Sequence, residues 1–206
     1  MPTTQIADRP EPTFARARPA LHHVQLKTAR LAEMIDWYVE AVGLIVTYRC
    51  DRAAWLSNDD ANHRLAILAT PGLRDDPDKV GHVGLHHTAW EFPTLDGLLE
   101  LYERLKAAGT LPHRTVNHGP TTSFYYLDPD GNSVEMQVDN FGDWRRSIEF
   151  FRSEDFDRDP FGPGVDPEAL VRERANGVDP GELARRSYAG EFPVARPNDR
   201  RIPIES

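Results

Sequence analysis

The chain has 206 residues, of which 39% are hydrophobic and 28% are charged, so it is long enough for one soluble globular domain or two small fused modules. The net charge of −9 without any basic stripe argues against nucleic-acid and anionic-membrane partners. No apolar run is long enough to predict a membrane span. The single cysteine, Cys50, rules out intramolecular disulfides and thiolate metal clusters and favours a reducing cytoplasm. Any metal would therefore be held by histidines and carboxylates.

Residues 1–19 contain no apolar central stretch and predict a flexible N-terminal arm. A first module follows over residues 20–70. Alternation predicts a strand at 21–28, helical spacing predicts a helix at 29–42 that ends at Gly43, and three short strands are expected at 44–50, 53–56 and 64–69. Pro71 and Gly72 then open a polar connector.

The same order of elements returns over residues 83–140, which predicts a second module. A strand is expected at 83–92, a helix from Thr94 or Asp96 to Gly109, and strands at 111–116, 123–127 and 133–138. The last two strands are joined by a turn at residues 128–131. Two β-α-β-β-β units indicate an internal duplication and an α+β fold.

The composition changes beyond Asn140, where proline, glycine, aspartate and arginine become frequent. Residues 141–206 are therefore interpreted as a C-terminal extension that wraps the domain or a neighbouring subunit. It contains an amphipathic patch at 144–151 and helix candidates at 167–175 and 180–187. Its last twenty residues are expected to be poorly ordered.

Three strands each direct one strong metal ligand to the face that points away from the helices. Apolar residues on the helix-facing side leave His23 on the other face of the first strand, His87 on that of the second module's first strand, and Glu135 on that of the last strand. Two neutral imidazoles and one carboxylate form the facial triad of non-haem Fe(II) oxygenases, which leaves room for substrate and O₂. A lone strand histidine or carboxylate is more often structural, and only the coincidence of three favours a metal.

The same segments resemble a known family. Residues 21–26 (LHHVQL), 84–91 (GLHHTAWE) and 123–135 (SFYYLDPDGNSVE) resemble the vicinal oxygen chelate superfamily and, within it, one-domain type I extradiol catechol dioxygenases. The resemblance covers roughly residues 20–140. It implies paired βαβββ modules that form a curved mixed-sheet cup around Fe(II), with Mn(II) as the alternative ion, and meta-cleavage of a catechol-type aromatic by O₂.

The fourth ligand position separates branches of this superfamily. Glyoxalase-type members take a fourth ligand from the last strand of the other module. A gapless overlay of residues 132–135 on residues 63–66 places Ala66 at that position, and alanine cannot bind a metal. Three ligands and an open side favour the oxygenase. A glyoxalase-like metal-dependent isomerase or lyase, and a non-catalytic drug-binding resistance protein, remain as alternatives.

Two further residues are candidate catalytic groups. The spacing of Tyr125 matches the family tyrosine that hydrogen-bonds the bound substrate oxygen, and His118 resembles the loop histidine that precedes it. The loop between them is about two residues shorter than in the larger enzymes. Those enzymes also have another active-site histidine, at whose place this chain has Gly72, so that role is assigned to no residue. The substrate and its pathway stay open, and a homo-oligomer is expected.

Overall fold

The computed structural model describes residues 19–202. The predicted arm therefore lies, except for Pro19, outside the described residues. In the first module the elements are β1 (Val24–Thr28), α1 (Leu31–Val42), β2 (Ile45–Cys50), β3 (Ala53–Ser57) and β4 (Leu65–Ala69). In the second module they are β5 (His87–Phe92), α2 (Leu95–Ala107), β6 (Arg114–Asn117), β7 (Thr121–Leu127) and β8 (Ser133–Asp139). The two predicted βαβββ modules and the α+β class are confirmed.

Each module folds its strands into a sheet of its own. The strand orders are β1-β4-β3-β2 and β5-β8-β7-β6, so the first strand of each module pairs in parallel with the last. The remaining pairs are antiparallel. The chain thus forms two open four-stranded mixed sheets with the same topology, which is what an internal duplication predicts.

The local signals at the helix ends explain the bounds of α1 and α2. Gly43 adopts φ 78°, and its N–H bonds to carbonyls of the last turn of α1. Glycine adopts this left-handed conformation at little energetic cost because it has no Cβ atom, whereas other residues do not. At the start of α2, the hydroxyl of Thr94 accepts a hydrogen bond from the N–H of Gly97 at 3.1 Å, which is the geometry of an N-cap.

Both helices pack on one face of their sheets and share a single apolar core. The buried side chains of α1, α2 and the helix-facing strand positions belong to one cluster. The turn before β8 joins the two modules, because the Tyr38 hydroxyl donates to the Asp128 carboxylate at 3.1 Å while Asp128 also accepts from the backbone N–H groups of Asp130 and Asn132. The opposite sheet faces are left available for a site.

Three strands begin three or four residues later than the sequence pattern predicts. β1 begins at Val24 rather than at residue 21, so His23 precedes the strand on which it was predicted to lie. β5 begins at His87 rather than at residue 83, because its partner β8 begins opposite it at Ser133 and no strand lies beside residues 83–86. β6 begins at Arg114 rather than at residue 111, and Pro112 just before it has no N–H to donate to a sheet. Residues 79–81 form a short 3₁₀ turn within the connector.

The C-terminal extension forms four helices: α3 (Trp144–Phe150), α4 (Glu154–Arg158), α5 (Pro167–Ala175) and α6 (Pro180–Tyr188). α5 and α6 were predicted as helices, α3 coincides with the predicted amphipathic patch, and α4 was not predicted. Leu170, Leu183 and Phe192 are buried in the common core. The expectation that the last twenty residues are poorly ordered is wrong for those up to residue 202, since the Asn198 side chain exchanges two hydrogen bonds with the backbone of Thr115. None of the helices within residues 19–202 is long and apolar enough to cross a membrane.

Candidate metal centre

A histidine and a carboxylate meet on the face of the second sheet that points away from α2. In the β5–β8 pair, His87 lies opposite Ser133 and Ala89 lies opposite Glu135. The side chains of His87 and Glu135 are on the same face because each strand alternates. The His87 Nε2 atom lies 2.9 Å from Glu135 Oε2. Two of the three predicted ligands are therefore in direct contact.

Glu135 is buried, with 5% of its surface exposed, and both of its carboxylate oxygens have partners. The Tyr125 hydroxyl donates to Oε1 at 2.8 Å, and His87 lies against Oε2. Burial alone would raise the pKa of the Glu135 carboxyl, but hydrogen bonds from His87, Ser123 and Tyr125 outweigh it and lower the pKa. The carboxylate thus stays ionised, which is the form that binds a cation.

Tyr125 and His118 extend this contact into a hydrogen-bonded chain. Tyr125 lies directly opposite Glu135 in the β7–β8 register, and its hydroxyl is 3.0 Å from the Nε2 atom of His118. Burial raises the pKa of Tyr125, and the Glu135 carboxylate raises it further. Burial lowers the pKa of His118. At neutral pH the phenol is therefore protonated and the imidazole neutral.

The loop that carries His118 is held in place by the C-terminal extension. Gly119 has φ +91°, and a Cβ there would lie 2.2 Å from the Phe150 ring of α3. On the other side, Asn117 donates from its backbone N–H to Pro163 and from its side chain to the carbonyl of Ala184. The extension was not assigned a role from sequence, because its glycines and prolines carry no signal for what they pack against.

The third predicted ligand, His23, lies in a different group. Within residues 19–202, the three-residue set of histidine, cysteine or acidic side chains whose donor atoms all fall within 4.8 Å of one another is His22, His23 and His63. The Nδ1 atoms of His22 and His23 are 3.1 Å apart, and the His23 and His63 ring centroids are 4.4 Å apart. The structure does not bring His23 together with His87 and Glu135 in such a set.

Sequence reasoning missed His63 as a neighbour of the histidine pair. The signal lies in the parallel pairing of β1 with β4, where Val24 is opposite Leu65. Continuing that register back by two residues sets His63 opposite His22. The register is not visible from strand alternation alone, since alternation fixes the face of a residue but not its neighbour on the next strand.

The register does establish which residue occupies the fourth ligand position. Two residues after His87, Ala89 is opposite Glu135, and two residues after His23, Gln25 is opposite Ala66. Ala66 is therefore the counterpart of Glu135 in the first module, as the gapless overlay predicts. The methyl side chain of Ala66 cannot bind a metal.

The donor set suits a divalent first-row metal. His87 and Glu135 offer an imidazole nitrogen and an ionised oxygen in contact, and the sequence analysis predicts His23 as the source of a second imidazole. Such a nitrogen and oxygen set matches Fe(II) and Mn(II), and the absence of thiolates disfavours softer ions. The residues that meet here therefore fit a metal of the kind that the family implies, and a further ligand would have to come from a residue outside this contact.

The comparisons with known proteins agree with this fold. The family model "Glyoxalase/Bleomycin resistance protein/Dioxygenase superfamily" matches residues 20–136, and the chain belongs to that superfamily. A solved glyoxylase/bleomycin resistance protein/dioxygenase domain from Frankia sp. EAN1pec shares the fold, with a TM-score of 0.50 and 19% identity over 60% of this chain and 93% of that one.

Two curated relatives are more specific. Biphenyl-2,3-diol 1,2-dioxygenase 3 of Rhodococcus globerulus is 39% identical over 171 residues, which cover 83% of this chain and 90% of the relative. Biphenyl-2,3-diol 1,2-dioxygenase 2 of the same organism is 35% identical over 182 residues, which cover 88% of this chain and 95% of the relative. The resemblance to extradiol dioxygenases inferred from the sequence motifs is confirmed.

Proposed function

We propose that this chain is an extradiol, meta-cleaving dioxygenase that opens a catechol-type ring with O₂ at an Fe(II) centre held by His23, His87 and Glu135. Both atoms of O₂ enter the product, and the ring bond beside the diol is broken. The observation that carries the proposal is the buried Glu135 carboxylate, which contacts His87 on one oxygen and the Tyr125 hydroxyl on the other. The two biphenyl-2,3-diol 1,2-dioxygenases among the relatives support the same reaction class.

When bound, Fe(II) supplies Lewis acidity and the one-electron chemistry that reaction with O₂ requires. The chain's own residues orient the substrate and move protons. A catechol that binds as an anion must lose a hydroxyl proton, and neutral His118 is the base placed beside Tyr125 to take it. Protonated Tyr125 can then donate to a substrate oxygen in place of Glu135.

His23 completes the proposed ligand set only if its side chain leaves His22 and His63. Its contacts there are the 3.1 Å approach of the Nδ1 atoms of His22 and His23 and a tilted ring contact with His63. His22 and His23 are exposed, so no packed side chain encloses them. Exposed side chains change rotamer rapidly, so His23 is free to leave this cluster.

A bicyclic catechol is the substrate class we propose. On β5, Glu91 lies on the same face as His87, about 13 Å away at the rise of a strand, and it accepts a hydrogen bond from the Trp144 indole at 3.2 Å. Trp144 is the first residue of α3, and both Trp144 and Ile148 of that helix are more than half exposed. They offer an apolar wall for the distal ring of a substrate whose diol is at His87. Biphenyl-2,3-diol, after which the two relatives are named, is a bicyclic catechol of this kind.

The test is oxygen consumption by the protein reconstituted anaerobically with Fe(II) and then given 2,3-dihydroxybiphenyl or catechol in air. A yellow ring-opened product should form as O₂ is consumed. Reconstitution with Mn(II) in parallel decides between the two ions. Full turnover of a non-aromatic thioester or ketone substrate with Ni(II) or Zn(II) under argon would instead assign the chain to the isomerase and lyase branch.

His87→Ala should abolish retention of iron, measured by elemental analysis after desalting, and with it ring cleavage. His82→Ala is the matched control, because His82 is exposed and bonds only to aspartates of the connector. If the His87→Ala protein kept full iron and activity, the ligand assignment would be wrong. The cytoplasmic location and the homo-oligomer remain predictions.

A further inference from the structure

The three histidines at the start of the first module form a cluster that the proposed reaction uses only in part. Their donor atoms all lie within 4.8 Å of one another. The centroid of the His63 ring lies 4.4 Å from that of His23 and 5.1 Å from that of His22. Donor atoms each about 2.0–2.1 Å from a tetrahedral Zn(II) ion lie roughly 3.4 Å apart, so the three imidazoles would have to move closer together by a small side-chain adjustment to bind one ion.

The backbone beneath the cluster is fixed on both sides. The Val24 N–H donates to the Arg64 carbonyl at 3.0 Å, and the Arg64 guanidinium donates back to the His22 carbonyl at 3.0 Å. Arg64 is itself held by a salt bridge to Asp59 at 2.8 Å. These contacts hold the two chain segments together, so the imidazoles are brought close before any ion arrives.

The protonation pattern also suits a metal. The Nδ1 atom of His63 lies 2.7 Å from the side-chain carbonyl oxygen of Asn62, so it carries the proton and leaves Nε2 as a free lone pair. An outer hydrogen bond of this kind is what orients a metal-bound histidine. His22 and His23 are exposed and His63 is half-buried, which leaves an open side for a water ligand.

We propose that His22, His23 and His63 form a second metal site that binds Zn(II) and competes with the Fe(II) centre for His23. A three-imidazole set with a water in the fourth position is a common zinc environment. The competition rests on the proposed function, because it requires His23 to serve iron as well. Zinc bound here keeps His23 away from His87 and Glu135 and so inhibits ring cleavage. By linkage, iron occupancy weakens zinc binding by the same factor.

The first experiment measures zinc binding to metal-free full-length protein by isothermal titration calorimetry with Zn(II) alone. His63→Ala should weaken the tightest zinc-binding event at least tenfold, whereas His87→Ala should leave it unchanged. His63→Gln, which keeps a polar side chain of similar length, gives a second variant should alanine impair folding. Equal zinc affinity in the wild type and both His63 variants, or loss of the event in His87→Ala, overturns the proposal.

The second experiment measures inhibition of the iron-loaded enzyme by added Zn(II), with each variant expressed relative to its own rate without zinc. His63→Gln should need at least tenfold more zinc for half-inhibition than the wild type. Equal sensitivity overturns the competition. If the chain cleaves no catechol but His63→Gln still loses zinc, the zinc site stands and the proposed function fails, so the two failures are distinguishable.

Discussion

Replacing Gly162 by alanine should displace the loop that carries His118 and so slow ring cleavage. The structure allows the size of this effect to be estimated. A Cβ at residue 162 would lie 1.8 Å from the carbonyl oxygen of Asn117, the residue before His118. Real Cβ atoms essentially never approach within 3.0 Å of a neighbour, so the carbonyl must retreat by more than about 1 Å. A misplacement of that size in a catalytic group can cost on the order of 10²-fold in rate.

Gly177→Ala separates backbone strain from this clash. Gly177 also lies in the extension with a positive φ, +87° against +68° at Gly162, but a Cβ there meets nothing within 4 Å. Both variants carry the cost of a left-handed alanine, about 1–2 kcal/mol. Only Gly162→Ala adds overpacking, about 1–3 kcal/mol more. Denaturant unfolding of the two variants should therefore differ by roughly that second amount.

The decisive measurement is kcat for ring cleavage in the iron-loaded variants, with iron content determined on the same samples. Gly162→Ala should lose at least tenfold in kcat at full iron content, because the displaced loop carries His118 and not a ligand. Gly177→Ala should stay within twofold of the wild type. Equal rates and equal unfolding free energies in the two variants would show that the extension does not position His118.

Three further outcomes follow from the same contacts. Tyr125→Phe removes the hydroxyl between Glu135 and His118 and should lower kcat about 10²-fold without loss of iron in elemental analysis; unchanged kcat would remove Tyr125 from the mechanism. Trp144→Ala should lower kcat/KM for 2,3-dihydroxybiphenyl about tenfold, as expected for loss of 1–2 kcal/mol of aromatic contact, while catechol is unaffected; equal losses for both substrates would contradict the apolar wall. Burial lowers the pKa of His113 below its ordinary value near 6.5, so the unfolded chain binds the proton more readily and the unfolding free energy should fall as pH drops from about 7 through 6.5. In His113→Gln, urea titrations over the same range should show a smaller fall, and an identical fall would assign it to other groups.

Much of the candidate site was predictable because it depends on local periodicity. Alternation placed His87 and Glu135 on one face. The spacing of Tyr125 from Glu135 sets these two residues opposite each other in the β7–β8 hairpin. The position of Ala66 also followed from a gapless overlay. In each case a side chain's direction follows from its own strand, and the duplicated topology supplies the register.

The contributions of the extension were not predictable in this way. Helices α5 and α6 begin with Asp-Pro pairs whose aspartate caps the first turn, so their existence could be inferred. Their packing could not. The fit of Gly119 against Phe150 and of Gly162 against Asn117 joins residues about 30 to 45 positions apart, and no periodic pattern records such a contact.

His23 is the one proposed ligand whose place depends on both modules at once. Strand pairing runs only within each module, so no register relates β1 to β5, and the modules meet instead through the shared core and the turn at Asp128. The face of His23 can thus be inferred from sequence while its distance from His87 cannot. A metal held by both modules would stabilise their packing by its binding free energy. If His23 binds either with His63 or with His87, as we propose, the identity of the bound metal would therefore affect the arrangement of the two sheets.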